Sequence, residues 1–351
     1  MAKCVFIVQG EGRGHMSQSM ALSEYLEEKG HTIERVFTGC RDPKFIPGYF
    51  YDFFRGKVEP FHSPYFLQTP NKKGIYIGRT LLINLMRSLN YLGEVHRLRQ
   101  SINRLSPEVA FNFYDVVGSF SLKKVNPSIK RIGIGHHFYL HLDRYQCNRG
   151  PLWHRWLLSK HTSLVMQSCD RVLALSHKEY ERDSAIEVVP PLVRKIFREI
   201  TYKPGHRYLV YLLNEGYLVD LIRLANEDPG FEADVFTAIT PEISLPAGIK
   251  IHQLNDEKFR EMMAGCKGLF TNSGFDTVAE AAYHGIPMLV VPSQHHFEQR
   301  CNGVELKRNG MGLVVDRIEP GIQSKMKAFD SRVYREWIDK AGEMIINRME
   351  E

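Results

Sequence analysis

Between Thr271 and Gly303 the chain reads TNSGFDTVAEAAYHGIPMLVVPSQHHFEQRCNG, with polar residues of types and spacing suited to a phosphorylated, hydroxyl-rich ligand. The apolar runs KGLFT and PMLVV read as strands, and a helix opens between them at about Phe275. Asn272, Ser273 and Gly274 then lie in a strand-to-helix turn, where free backbone N–H groups and the positive end of the helix dipole favour a phosphate. Thr277 adds a hydroxyl in the first turn. Glu280 falls one turn further on, on the face shared with Asp276 and Thr277, where a carboxylate accepts two hydrogen bonds from the vicinal diol of a ribose. Glu298 and Gln299 follow the next strand and offer acceptors and an amide to sugar hydroxyls.

A second constellation opens the chain. The strand-like run CVFIV leads into QGEGRGH and a helical pattern, so Gly10, Gly12 and Gly14 make a tight turn that a ligand can approach closely, and His15 starts the helix. A helix N-terminus disfavours the imidazolium cation, and a neutral imidazole is a general base able to deprotonate a hydroxyl. A capping or phosphate-adjacent histidine is the plainer alternative. His136 and His137 end the strand RIGIG and face a cleft as acceptor-binding residues, or else are satisfied by loop backbone. His284, His295 and His296 lack ligand spacing and read as solvated loop histidines, so no metal site is expected. The chain also has no D-x-D pair, consistent with a leaving group stabilised by donors and a dipole; no cofactor is expected.

These residues need a scaffold that presents strand ends. The 351 residues, 43% hydrophobic and 25% charged, exclude disorder and suffice for two domains. Strand and helix patterns alternate from Cys4 to about residue 189, and again from RYLVYLL to GLVV, which predicts an α/β fold of two doubly wound, Rossmann-like parallel-sheet domains facing a cleft. The boundaries are 1–195, 196–330 and a closing helical segment at 331–351, with Pro190-Pro191 and the stretch to residue 206 as the linker. Residues 45–76, aromatic and Pro-rich, read as an irregular insertion; 78–105 reads as one long helix. Helix 152–168 carries Trp153, Trp156, Leu157 and Leu164 on one face, expected to pack inward. The six scattered cysteines suit a reduced, cytoplasmic chain, and no segment has the length or apolarity of a membrane span. The net charge of +6 points to an anionic ligand or surface, and no basic run calls for nucleic acid.

With these motifs in place, the 271–303 segment resembles the donor-binding signature of nucleotide-sugar glycosyltransferases of the two-Rossmann-domain GT-B fold. The similarity is to the families of the peptidoglycan N-acetylglucosaminyltransferase and the UDP-glycosyltransferases. The resemblance implies that Ser273, Gly274 and Thr277 meet the diphosphate, that Glu280 reaches the ribose, and that Gly285-Ile286-Pro287-Met288 leads into a strand. It also implies that Glu298-Gln299 contacts the transferred sugar. Two positions depart from the pattern. Asn272 stands where the plant and animal branch has a phosphate-binding histidine, which shifts phosphate contact to backbone donors, and Leu213-Asn214-Glu215-Gly216 lacks the Gly-rich loop of the peptidoglycan enzymes.

The resemblance implies an inverting, metal-independent transfer from a nucleotide diphosphate sugar, a UDP-sugar in the first instance, to an acceptor hydroxyl, in cell-surface glycan or glycolipid synthesis. The expected partners are that donor and a hydroxyl acceptor. A lipid-linked acceptor and peripheral contact with the anionic inner face of a membrane stay open. Two alternatives share the architecture: a nucleotide-sugar 2-epimerase and a non-catalytic nucleotide-sugar or lipid-binding module.

Overall fold

Apart from residues 12, 71–72, 143–150, 181–185, 213–214 and 238–243, the structure, a computed structural model, describes the whole chain. Gly12 and the start of the 213–216 turn therefore lie outside the described residues. Among the described residues, seven parallel strands form the first sheet: β1 (Lys3–Gln9), β2 (Thr32–Cys40), β3 (Val58–His62), β4 (Val109–Phe113), β5 (Lys130–Gly135), β6 (Arg171–Leu175) and β7 (Glu187–Val189). Six form the second: β8 (Tyr208–Tyr211), β9 (Ala233–Thr237), β10 (Ile249–Gln253), β11 (Gly268–Thr271), β12 (Met288–Val290) and β13 (Leu313–Val314). Their orders are β3-β2-β1-β4-β5-β6-β7 and β10-β9-β8-β11-β12-β13. These are two Rossmann-like sheets of the expected kind. In each, the chain leaves its first strand to one side and later returns to the other, so the crevice beyond the strand ends opens at β1/β4 and at β8/β11.

The sequence explains this layout. Helices cover both faces of a parallel sheet, so its strands are apolar throughout rather than alternating, and Cys4 to Val8 are fully buried in β1. Gly10 is forced by close packing: a Cβ there would collide with the carbonyl of Gly39 in β2.

Four expectations need correction. Residues 45–62 are not an irregular insertion: they include the helix Gly48–Phe54 and the edge strand β3, with Phe50 and Phe54 in the core. Pro60 obscured that strand in the sequence, yet an edge strand tolerates proline. The long helix is two, Ile77–Met86 and Ser88–Leu105, meeting at Arg87. Its first part buries only Thr80, and helix Leu152–Met166 likewise turns Trp153 and Trp156 outward at 51% and 59% exposure. Periodicity reports that a stripe exists but not what it faces. Finally, Cys4, Cys40, Cys169 and Cys266 are free thiols, whereas Cys301 is disulfide-bonded, a pairing in space that scattered sequence positions do not reveal.

The closing segment is a pair of helices, Arg332–Asp339 and Ala341–Glu350. Ile338 packs in the core of the second sheet, while Ala341, Ile345, Ile346 and Met349 join the core of the first, against helix Gly14–Glu28 and β7. Trp337 donates its indole N–H to the Ser176 carbonyl at 2.9 Å. No helix among the described residues is long and apolar enough to cross a membrane.

Candidate functional site

Helix Gly14–Glu28, entered from β1, and helix Phe275–Tyr283, entered from β11, meet across the crevice. Gly14 is required at their contact, because a Cβ there would strike the Asp276 carboxylate. The glycine expected to admit a ligand therefore admits the other domain. Gln18 donates from Nε2 to Oδ2 of Asp276 at 3.2 Å, and the Ser17 hydroxyl lies 3.5 Å from Oε1 of Glu280.

His15 is buried, with Nδ1 3.2 Å from Oε1 of Gln18. Because the Gln18 amide nitrogen is directed at Asp276, its oxygen faces the imidazole, and Nδ1 then carries the proton. The second ring nitrogen is left as an acceptor. Burial, with His137 nearby, lowers the His15 pKa to about 4. The imidazole is neutral as the sequence suggested, but burial is the main cause. The His15 ring lies 5.8 Å from Tyr114 and 5.5 Å from His137, and Tyr114 stacks on His137 at 3.9 Å. Tyr114, the residue after β4, adopts φ 62°, a left-handed backbone that bulky side chains rarely take and that clusters at functional sites.

His136 and His137 follow β5 and reach the second domain. Nε2 of His137 is 2.8 Å from Oε2 of Glu298, and Nε2 of His136 is 3.3 Å from Oε1. Burial opposes ionisation of Glu298, but His137, through its charge and hydrogen bond, outweighs it together with His136 and His296 and holds the carboxyl well below its usual range. The His136 ring lies parallel to Phe275 at 4.7 Å, and burial pushes its pKa far down. The sequence-predicted residues His15, His136, His137 and Glu298 are thus brought into one cluster.

The donor-side residues divide into two groups. Glu280 and Asp276 share a helix face, as expected, and both are buried. Burial raises Glu280 to about 8, opposed by Arg194 and assisted by Asp276; burial likewise raises Asp276 to about 7. Near neutral pH Glu280 therefore offers an O–H as well as an acceptor. The helix start has Gly274 at its N-cap with no side-chain cap, leaving first-turn N–H groups for an anion, and Thr277 is half-buried beside them.

Asn272, Ser273 and Gln299 use side chains to fix the turns instead. The Asn272 amide donates to the Val291 carbonyl at 2.7 Å, the Ser273 hydroxyl donates to the Gln299 carbonyl at 2.6 Å, and Oε1 of Gln299 accepts from Ser293 N at 2.8 Å. Of the supposed solvated histidines only His295 is exposed. His284 is buried against the Phe197 carbonyl at 2.6 Å, and His296 caps helix Phe297–Arg308.

Sequence reasoning passed over Gln18, Tyr114, Arg194 and Asn302. Gln18 stands three residues after His15 and Asn302 four after Glu298, both helical-face spacings, and Tyr114 ends the VAFNFY strand. Arg194 had no signal beyond its place after Pro190-Pro191. It is buried, pairs bidentately with Asp256 at 2.6 and 2.7 Å, and lies 4.0 Å from Glu280. The linker start is accordingly buried, with Leu192 and Val193 also covered, rather than a solvated connection.

The curated proteins include an uncharacterized glycosyltransferase of Methanosarcina acetivorans that is 23% identical over 338 residues, covering 88% of this chain and 82% of that protein. Among solved structures, Phytolacca americana UGT2, complexed with UDP-2fluoro-glucose and pterostilbene, is similar with a TM-score of 0.66 at 12% identity and full coverage of both chains, 100% each. MurG of Acinetobacter baumannii is similar with a TM-score of 0.56 at 12% identity, covering 99% of each chain. At such identities these two likenesses speak for the fold, the two-domain GT-B architecture. A family model described as glycosyl transferase family 1 matches residues 2–333, nearly the whole length over which the two sheets and the histidine–carboxylate cleft are built, and the chain belongs to that family as a glycosyltransferase.

Proposed function

We propose that the protein transfers a sugar, with inversion and without a metal, from a nucleoside diphosphate donor, UDP-linked in the first instance, to an acceptor hydroxyl. The observation that carries this reading is His15: neutral through burial, tautomer fixed by Gln18, and set in one cluster with Glu298 of the opposite domain. In this reading the free nitrogen of His15 takes the acceptor proton as the hydroxyl attacks the anomeric carbon. The bond to the diphosphate breaks, and its charge is received by the backbone N–H groups after Gly274. Glu280 holds the ribose diol, Glu298 and the 298–299 turn hold the sugar, and His136 and His137 face the acceptor. The test is turnover of a panel of nucleotide sugars with and without an acceptor hydroxyl, by the wild type and by Glu280→Ala. Acceptor-dependent transfer that weakens in Glu280→Ala is expected. Isomerised sugar from donor alone would replace the reading with an epimerase, and binding with no turnover would replace it with a binding module.

The acceptor we infer is lipid-linked, met at an anionic membrane surface, in glycan or glycolipid synthesis. Supporting this, Leu82, Leu85, Met86 and Leu89 are exposed at 58, 71, 76 and 78% beside the exposed Arg79 and Arg87, and Trp153 and Trp156 are exposed beside Arg155. The chain just before helix 77–86 and helix 152–166 both touch the turn leading into Glu298: Gln294 N donates to the Lys73 carbonyl at 2.9 Å, and Leu158 packs on Phe297. Sedimentation with anionic vesicles should be strong for the wild type and weak for the double variant Trp153→Ser, Leu85→Ser. Equal sedimentation of the two would remove this part.

A further inference from the structure

Glu298 and Asn302 stand one turn apart on helix 297–308 and point at the His136–His137 pair of the other domain. The three atoms offered by His136, His137 and Glu298 all lie within 4.8 Å of one another. Asn302 adds a fourth. Its Nδ2 donates to the Ser273 carbonyl at 2.9 Å, which turns Oδ1 toward Nε2 of His136 at 3.2 Å. Nε2 of His136 thus faces two oxygen acceptors, one from Asn302 and one from Glu298, and holds at most a single proton to share between them. The rings are set by stacking, His136 on Phe275 and His137 on Tyr114.

We propose that His136, His137 and Glu298, completed by Oδ1 of Asn302, form a binding site for a divalent transition-metal ion that bridges the two domains. Two imidazole nitrogens and a carboxylate oxygen, converging from two elements, are a donor set suited to Zn2+, with the Asn302 amide oxygen a weaker fourth donor. Binding requires both histidines to present unprotonated Nε2 atoms and Glu298 to be ionised, and any proton on those nitrogens is released. Filling the site ties helix 297–308 to segment 136–141. It also takes up the Glu298 carboxylate, so the metal opposes sugar binding there rather than assisting transfer. That last consequence rests on the proposed role of Glu298; the binding itself does not.

The experiment titrates Co2+ into the metal-free full-length chain and reads its visible ligand-field absorption, followed by displacement with Zn2+. A saturable band that Zn2+ abolishes is expected, with affinity at least ~10-fold weaker in Glu298→Gln and in His137→Gln. Absence of a band in the folded wild type would overturn the proposal. So would unchanged affinity in Glu298→Gln, since the ion would then sit on another imidazole such as His206 or His252. Should a variant fail to fold, hydrogen exchange of the wild type decides: Zn2+ slows exchange in both 136–141 and 297–308, and no slowing in either overturns the site. Neither readout uses a donor sugar, so failure of the transferase reading leaves this result standing.

Discussion

His15→Ala is expected to lower kcat for sugar transfer by about 10²–10⁴-fold, the usual contribution of a positioned general base, with donor affinity changing far less. The wild-type ring is held ready for that task, Nδ1 on Gln18 and the other nitrogen free. With a pKa near 4 the imidazole stays a neutral base through the physiological range, and protonation removes it only in acid. The pH profile of kcat/KM for the free enzyme should therefore carry a limb that falls below about pH 4 and belongs to His15, separate from the changes that Asp276 at about 7 and Glu280 at about 8 contribute, and the variant should lack that limb. A base this weak takes the proton late, once bond formation has acidified the attacking hydroxyl. Undiminished kcat in His15→Ala, or an acid limb that survives the substitution, would show that the proton goes elsewhere.

The second large effect is on stability. Arg194→Met should destabilise the protein by about 3 kcal/mol, the lower edge for breaking a buried ion pair, because Asp256 keeps partial access to water. Arg194 is the cation that Asp256 and Glu280 share, and its own burial leaves Nε without a hydrogen-bond partner. Removing it strands two carboxyl groups at the junction of the domains; Glu280, already pushed up to about 8, is driven further toward its protonated form. The denaturation midpoint should drop for Arg194→Met and recover in part for Arg194→Lys, which restores charge but not the two-pronged geometry. A midpoint equal to the wild type in Arg194→Met would mean the junction does not depend on this charge.

Much of the scaffold was readable because a parallel sheet covered on both faces writes itself as compact apolar runs: CVFIV, VAFNF, RVLAL and GLFT all became strands. The short β7 and the proline-bearing β3 carry too little of that signal. Residues at strand ends were legible for the same reason, since β1, β5 and β11 deliver His15, His136 and Ser273 to the crevice. What those side chains touch was not. The contact of His137 with Glu298 joins distant parts of the chain, and the hydroxyl of Ser273 is spent on the Gln299 carbonyl in the helix after the next strand. Nor does a periodic stripe distinguish a helix packed inward from one such as 152–166, whose tryptophans face out.

The segment that carries Ile345 and Met349 back to helix 14–28 and β7 has a consequence for how the molecule is made. On a ribosome, helix 14–28 emerges early, yet the side chains of 341–350 that pack on it are translated only after the entire second sheet. The N-terminal half must therefore wait, partly uncovered, through synthesis of its neighbour, and the last two helices act as the clasp that seals both halves at once. Folding of the two halves is thereby coupled: residues 341–350 complete the core of one while residues 332–339 are seated on the other.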